Sequence, residues 1–450
     1  MFAREAEPQG ARKPAAIRAT LQKCVDGQNR TPGIVVGLLD ENGTNVYAYG
    51  KRERGKDGEI NGDTLFEIGS ITKVFTTIVL EDMVEHGEVK LEDPIGKYFP
   101  ESEKTPDWHG KQITLLDLAT HTAGFPSVPD NMAPKDGDNP YADYSVQQMY
   151  EFLAAYKLPR KPGHKFEYSN YGMGLLGHIL ALRAGTNYES MVVERICKPL
   201  HMDSTRMTLS PELRARLATG HSTVGPPVKY WDSLALQGDG ALYSTANDLL
   251  KFPAANMGNG PSNLTRTMAK TQVPLRRSGI GEKIGLGWVK ISFLGADYSF
   301  HNGGTGGFCS YIGFDSKKLR GAVVLVNEAN SVDDVGLYLF LPDIYDSIDK
   351  FKAPKQRAIA RTDRRVYDNY VGRYNFNARE FITVTCRGEH LIAQEKGEME
   401  WPYEIFPESE TEFFFTAADA QVTFSRSQAG AVTGLVVHQE GRNRKATKVE

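Results

Sequence analysis

The sequence holds no apolar run approaching the roughly 20 residues that a membrane-spanning helix needs. Its opening, MFAREAEPQGARKPAAIRATLQK, lacks the apolar core of a secretory signal. A cytoplasmic protein, or the mature form of a periplasmic or secreted one, is therefore expected. Cysteine is scarce: Cys24, Cys197, Cys309 and Cys386 are scattered, with no C-x-x-C and no Cys/His metal spacing. That argues against a disulfide scaffold or a zinc module and predicts four buried thiols. The histidines form no H-x-x-x-H pair, so neither a metal nor another cofactor is expected. A net charge of -3 supplies no general field for nucleic acid or anionic lipid. Solenoid repeats and low-complexity tracts are also missing. What is present is an ordinary globular balance, 40% hydrophobic and 24% charged, over 450 residues, enough for more than one domain.

Residues 11 to 28 read as a surface helix. Gly33 to Asp40 (GIVVGLLD) reads as a buried strand, Glu41-Asn42-Gly43 as a hairpin turn, and Thr44 to Gly50 as the returning strand. From Ser70 an apolar-periodic helix runs to about His86 and stops at Gly87. Ser145 and Gln148 form a capping box ahead of MYEFLAAY. Tyr171 to Ala184 is helical although it carries Gly172, Gly174 and Gly177, which implies close packing against another element. Strands are predicted at Lys283 to Ile291, Ala296 to His301, Phe308 to Phe314 and Gly321 to Asn327, then a helical tail at Asp333 to Asp349. This order predicts an α+β fold, a sheet covered by helices. Phe351 to Arg365 is basic and polar with Pro354, and reads as a linker. Beyond it, FITVTC, HLIAQE, EFFFTA, QVTFSR and GLVVHQ predict a small β-barrel or sandwich.

Three short motifs carry chemistry. In Ser70-Ile71-Thr72-Lys73 the spacing puts Lys73 on the same helix face as Ser70, beside its hydroxyl. Ser70 also lies at the positive end of the helix dipole. An alcohol is a weak nucleophile at neutral pH and needs such a base. In Tyr168-Ser169-Asn170, a tyrosine near a lysine can act as base, and the asparagine amide can hold a substrate carbonyl or orient Lys73. In His301-Asn302-Gly303-Gly304-Thr305-Gly306-Gly307, glycines let backbone approach a ligand, and one N–H here could form an oxyanion hole with that of Ser70. Each motif is weak alone. Ser347-Ile348-Asp349-Lys350 repeats the first spacing and Tyr367-Asp368-Asn369 the second. The first is read as a solvated helix end. Tyr168 alone reads as a half-buried core tyrosine, and the third motif alone as a glycine-rich hairpin turn with a surface histidine.

Taken in order, the three motifs make the sequence resemble the serine β-lactamase and penicillin-binding-protein family, in its class C β-lactamase, D-aminopeptidase and esterase branch. FEIGSITKVFT, TLLDLATHTAGF, PGHKFEYSNYGMGLLG, CKPLHMDSTRM, GDGALYSTANDLLKF and HNGGTGGF carry the likeness, over roughly residues 15 to 345. The resemblance implies a β-lactamase-like antiparallel sheet flanked by helices, with an all-helical subregion. It implies that Ser70 forms an acyl-enzyme and that Lys73 and Tyr168 share the acid/base work. Asn170 would contact the substrate, and His301, Asn302 and Gly303 would line the cleft. The backbone N–H groups of Ser70 and Gly304 would form the oxyanion hole. Class C β-lactamases usually carry Lys-Thr-Gly where this chain has His301-Asn302-Gly303, which argues against efficient cephalosporin hydrolysis. The tail from Tyr370 resembles the lipocalin-like barrel of some related peptidases. Domains are expected at 1–350 (hydrolase), 351–366 (linker) and 367–450 (barrel). The implied substrates are short esters, β-lactams or D-amino-acid peptides, with no nucleic-acid partner. The other reading is a non-catalytic member that binds peptidoglycan-like ligands or acts as a scaffold.

Overall fold

A computed structural model describes residues 12–100, 103–222, 227–278, 283–293, 296–340, 357, 359–377, 380–387, 390–396, 403–415, 420–439 and 442–449. The chain divides into two compact units, Met1–Phe351 and Lys352–Glu450.

The first unit is built on an eight-stranded antiparallel sheet. Its strands run in the spatial order Gly43–Gly50, Gly33–Asp40, Arg320–Val326, Cys309–Asp315, Ala296–Gly304, Val289–Phe293, Lys283–Ile284, Arg276–Arg277. The strand Gly33–Asp40 pairs with both its hairpin partner and Arg320–Val326, with Val36 opposite Val324. On one face Ile17, Leu21, Val335 and Leu339 from the helices Pro14–Gln22 and Asp333–Phe340 pack on Ile34, Val36, Tyr311 and Val324. On the other face an aromatic chain links helix to sheet. Phe75 stacks on Phe252 at 4.2 Å, Phe252 meets Trp288 at 6.1 Å, and Trp288 meets Phe314 edge-on at 5.0 Å. Burying such rings dominates core energetics. A helical region lies between the first and last strands and includes Leu115–Ala119, Val146–Ala155 and Asn170–Ala184. The capping box at Ser145 and Gln148 forms as read. The α+β reading therefore holds.

Three local readings need correction. Lys283 to Ile291 is two strands, because Gly287 takes a left-handed φ of 75° and turns the chain while Trp288 is buried. The strand from Ala296 does not end at His301 but continues through Gly304, held opposite Cys309, so the third motif is strand in its first half and hairpin turn only from Thr305. Of the thiols, Cys24 and Cys197 are buried, but Cys309 and Cys386 are only half-buried. Both of the latter sit near the end of a strand, where core cover thins. The predicted helical tail is seen at Asp333–Phe340; its remainder, 341–349, lies outside the described residues.

The second unit is a closed eight-stranded barrel, with the first strand, Gly372–Asn375, pairing to the last, Arg442–Lys448. Its interior is filled by Tyr374, Ile382, Val384, Leu391, Phe413, Val422, Phe424, Leu435 and Val437. Eight strands leave a bore just wide enough for side chains to fill. The short helix Tyr367–Tyr370 adds Tyr370, stacked on Phe424 at 4.2 Å. Of the predicted linker, Arg357 pairs with Glu408 and Ala360 donates its N–H to Pro407, so this part is fastened to the barrel.

Each unit has its own core, so fragments 1–351 and 352–450 should each fold when expressed separately. The expected result is one cooperative melt per fragment by circular dichroism. A fragment that stays unfolded would show that its core is completed by the other.

Candidate active site

The strand Phe66–Glu67 delivers the chain into Gly69, whose φ of 48° is a left-handed conformation that a glycine adopts freely. A 3-10 turn, Gly69–Ile71, then runs into the helix Thr72–Glu85. Ser70 thus sits in the tight turn ahead of the α-helix, and Lys73 is in its first turn. Lys73 is fully buried. Its ammonium donates to Ser70 Oγ at 2.8 Å and to the carbonyl of Asp239 at 2.7 Å. Asn170, which the motif offers as a residue to orient Lys73, does not take this second bond; the Asp239 carbonyl does.

That carbonyl comes from the short helix Gln237–Gly240. Gly174 and Gly177 on the helix Asn170–Ala184 let it approach. An added Cβ on Gly174 would lie 2.7 Å from Leu236, and one on Gly177 would lie 2.8 Å from Gly238 Cα. This is the close packing that the glycine-rich helix implied. Asp239 itself is a buried acid that the sequence reading missed. Burial pushes its carboxyl up to about 7, with the Lys73 charge pulling the other way. The only sequence signal for it was an acid between two glycines.

Tyr168 lies over Lys73, its ring centre 5.0 Å from Nζ. Its ring is also stacked on His121 at 4.5 Å and stands 6.5 Å from His301. His121, buried and with a left-handed φ of 53°, accepts the Ser169 N–H on Nδ1 at 3.1 Å. Burial, and then the charge of Lys73, hold it well below the usual imidazole range. The imidazole under Tyr168 is therefore neutral. In the sequence His121 stands only as one residue of the stretch TLLDLATHTAGF. Ser169 caps the next helix, accepting the Gly172 N–H at 2.8 Å and donating to Pro126 at 2.6 Å. Asn170 is buried in the first turn of that helix, its amide facing Ser127 and the Tyr141 hydroxyl.

The strand Ala296–Gly304 forms the opposite wall. His301 is buried, and its Nδ1 lies 2.6 Å from the carbonyl of Asn302. Burial, and then the Lys73 charge, push it down to about 4. It is thus a neutral cleft residue and not a surface histidine. Asn302 departs from its expected place. Successive side chains of a strand point to opposite faces, and Asn302 donates to Asp333 at 2.7 Å on the helix Asp333–Phe340, so its amide is engaged away from the cleft. Gly303 faces the nucleophile: a Cβ there would lie 3.0 Å from Ser70 N and 2.1 Å from the Ile68 carbonyl. A Cβ on Gly69 would lie 2.8 Å from Gly304 N. The backbones bearing the Ser70 and Gly304 N–H groups therefore run against each other. Ser310 Oγ reinforces the contact by donating to Ile68 at 2.9 Å.

Glu67, another residue the sequence reading missed, lies buried beneath this junction. It accepts from Thr305 Oγ1 and the Trp231 N–H, each at 2.6 Å, and from Tyr243 at 3.3 Å. A lone acid between Phe66 and Ile68 was the available signal. Of the look-alike motifs, Ser347 lies outside the described residues. Tyr367 belongs to the barrel unit, where its hydroxyl meets Thr362 at 2.9 Å.

A serine in the turn that opens a buried helix, with a buried lysine at its oxygen and an antiparallel sheet alongside, is the arrangement of one class of serine hydrolase. A family profile described as Beta-lactamase matches residues 16–341, and the chain belongs to that family. A second profile, described as a domain of unknown function (DUF3471), matches residues 356–448. The chain is 29% identical over 312 residues to the D-alanyl-D-alanine-carboxypeptidase/endopeptidase AmpH of Escherichia coli (strain K12), covering 66% of this chain and 80% of that one. It is 25% identical over 445 residues to Penicillin-binding protein 4* of Bacillus subtilis (strain 168), covering 92% and 94%. Its fold is like that of a beta-lactamase/D-alanine carboxypeptidase from Pseudomonas syringae, with a TM-score of 0.62 at 24% identity, covering 70% and 94%.

With its pKa pushed down to about 4, His301 loses its proton well below neutrality and stays neutral above about pH 5. Imidazole nitrogen spectra, assigned with His301→Gln, should show no titration of this ring between pH 5.5 and pH 8, a window chosen to span the ordinary value of about 6.5. A midpoint inside that window would refute its neutrality.

Proposed function

We propose that this hydrolase cleaves ester or amide carbonyls through an acyl-enzyme on Ser70. The observation carrying this reading is the 2.8 Å contact between the buried Lys73 amine and Ser70 Oγ. The Ser70 proton passes to the Lys73–Tyr168 pair, which must first hold one proton fewer than an ammonium and a phenol together, and Oγ attacks the carbonyl carbon. The oxygen of the tetrahedral intermediate takes the N–H groups of Ser70 and Gly304. Tyr168 and Lys73 return the proton to the departing amine or alkoxide, and water then releases the acyl group by the reverse path. The neutral imidazole under Tyr168 keeps its face of the site apolar without adding a competing charge.

The substrates are carbonyl compounds of the kinds the relatives' names indicate, β-lactams and D-alanyl peptides, together with short esters. Among these, the neutral His301 favours acyl groups that need no clamp on a carboxylate. Lys73 is engaged with Ser70 and Asp239, so it is not available as that clamp.

Ser70→Ala should abolish turnover and covalent labelling while the melting curve stays unchanged. Intact-mass spectrometry after p-nitrophenyl butyrate, nitrocefin or D-alanine p-nitroanilide reads this directly. Normal labelling of the variant would sink the proposal, and a wild type that binds but never acylates would favour the scaffold reading. Lys73→Ala and Tyr168→Phe should each lower kcat by about 10²–10⁴-fold. Their combined effect should fall well short of the product, because they serve one proton path.

Short p-nitrophenyl esters should exceed nitrocefin in kcat/KM. His301→Lys should shift that ratio toward nitrocefin by adding a charge-assisted contact to its carboxylate. Asn302→Thr should add little, since Asn302 faces Asp333. A wild type that prefers nitrocefin to every ester tried would overturn the argument from the missing charge.

A further inference from the structure

We infer that Glu67 is a positioning residue for the oxyanion pair, fixing Gly304 against Ser70 through Thr305. The inference rests on the acyl-enzyme reading of Ser70.

Glu67 is three residues before the nucleophile and is about 4% exposed. Its two oxygens are used differently. Oε1 accepts the backbone N–H of Trp231 and the hydroxyl of Tyr243, while Oε2 accepts only the hydroxyl of Thr305. Thr305 directly follows Gly304, and its own N–H closes the turn onto Phe308 at 2.9 Å. Trp231 leans on the same turn, since a Cβ on Gly306 would lie 2.8 Å from its indole nitrogen. One carboxylate therefore ties the strand that leads to Ser70 to the turn that follows Gly304, and to the loop beside both.

No cation is bonded to this carboxylate among the described residues. The groups around it are Thr305, Trp231, the phenols Tyr230 and Tyr243, and the acid Asp232. Burial raises its carboxyl to about 7, against the pull of the Thr305, Trp231 and Tyr243 bonds. The site of protonation follows from the donors. Oε1 already faces an N–H that cannot accept, so a proton goes to Oε2. The Thr305 hydroxyl must then turn from donor to acceptor. A charge-assisted bond becomes a neutral one, roughly half as strong. Protonation thus loosens the turn that aims Gly304. Ionised Glu67 is the tight state, so kcat should rise as pH increases through about 7.

Glu67→Gln mimics the protonated state, its carbonyl accepting from Trp231 and its amide donating to Thr305. Thr305→Val removes the link while leaving Glu67 in place. Both variants should fold, which a thermal melt checks. On p-nitrophenyl acetate, kcat at pH 8 should fall on the order of ten- to a hundredfold, the scale of a small misplacement at a reacting centre. KM should stay within about twofold, because the oxyanion forms only after binding. The limb near pH 7 should disappear in both variants. A second readout does not need turnover. In protein labelled with ¹⁵N-glycine and ¹⁵N-threonine, the Gly304 and Thr305 amide signals should titrate near neutrality in the wild type and stay flat in Glu67→Gln. Unchanged kcat with a retained limb, or amide signals that ignore pH, would overturn the inference. Titrating amides in a protein that never acylates Ser70 would uphold the Glu67 link and sink the acyl-enzyme reading instead.

Discussion

A lysine buried to completion is the constraint on which the catalytic half of this molecule depends. Removing an ammonium from water carries a penalty of several kcal/mol unless its protons find acceptors. Here they find two, the Ser70 hydroxyl and the Asp239 carbonyl. The first acceptor comes from four residues of local sequence. The second has to be brought from another segment, and much of the helical region serves that delivery. The glycines of the helix Asn170–Ala184 shave its surface so that Gln237–Gly240 can settle against it. The same helix begins at the cap that fixes Tyr168. Lysine, tyrosine and the packing of two helices are thus one arrangement.

The sheet supplies the other half. Its strand Ala296–Gly304 runs past the nucleophile turn so closely that neither Gly69 nor Gly303 has room for a Cβ. The absence of side chains there lets the backbones of Ser70 and Gly304 run against each other. Alternation along the same strand then divides the labour. His301 and Gly303 look toward the nucleophile, while Asn302 anchors the strand to the helix behind it. A neutral imidazole in this wall leaves Lys73 as the cation at the nucleophile, and Lys73 is already engaged.

Much of this was legible from residue order. Apolar patterning located the strand Gly33–Asp40, the helix after Ser70 and the barrel, because the first two are buried on almost every side and barrel strands such as Ala420–Arg426 alternate. The pairing of Ser70 with Lys73 was legible because a helix fixes what lies three residues away. What escaped reading had two physical origins. The strand at His301 was ended too early, since a run of glycines looks like a turn. Had it been carried through Gly304, alternation alone would have turned Asn302 away from the cleft. Asp239 and Glu67 escaped because their roles exist only after distant segments meet. Asp239 lies 166 positions from Lys73, and Thr305 lies 238 from Glu67. No spacing rule reaches across such separations.

The filled barrel of the second unit has a consequence for what that unit can be selected for. Its lumen is occupied by tyrosine, phenylalanine and aliphatic side chains contributed by nearly every strand. Among the described residues, these interior positions are spent on packing against one another. The outward-pointing residues of the strands carry no such packing duty. Those positions are free of the jigsaw that constrains the interior, so a substitution there costs the barrel little, whereas one inside it opens a cavity or a clash.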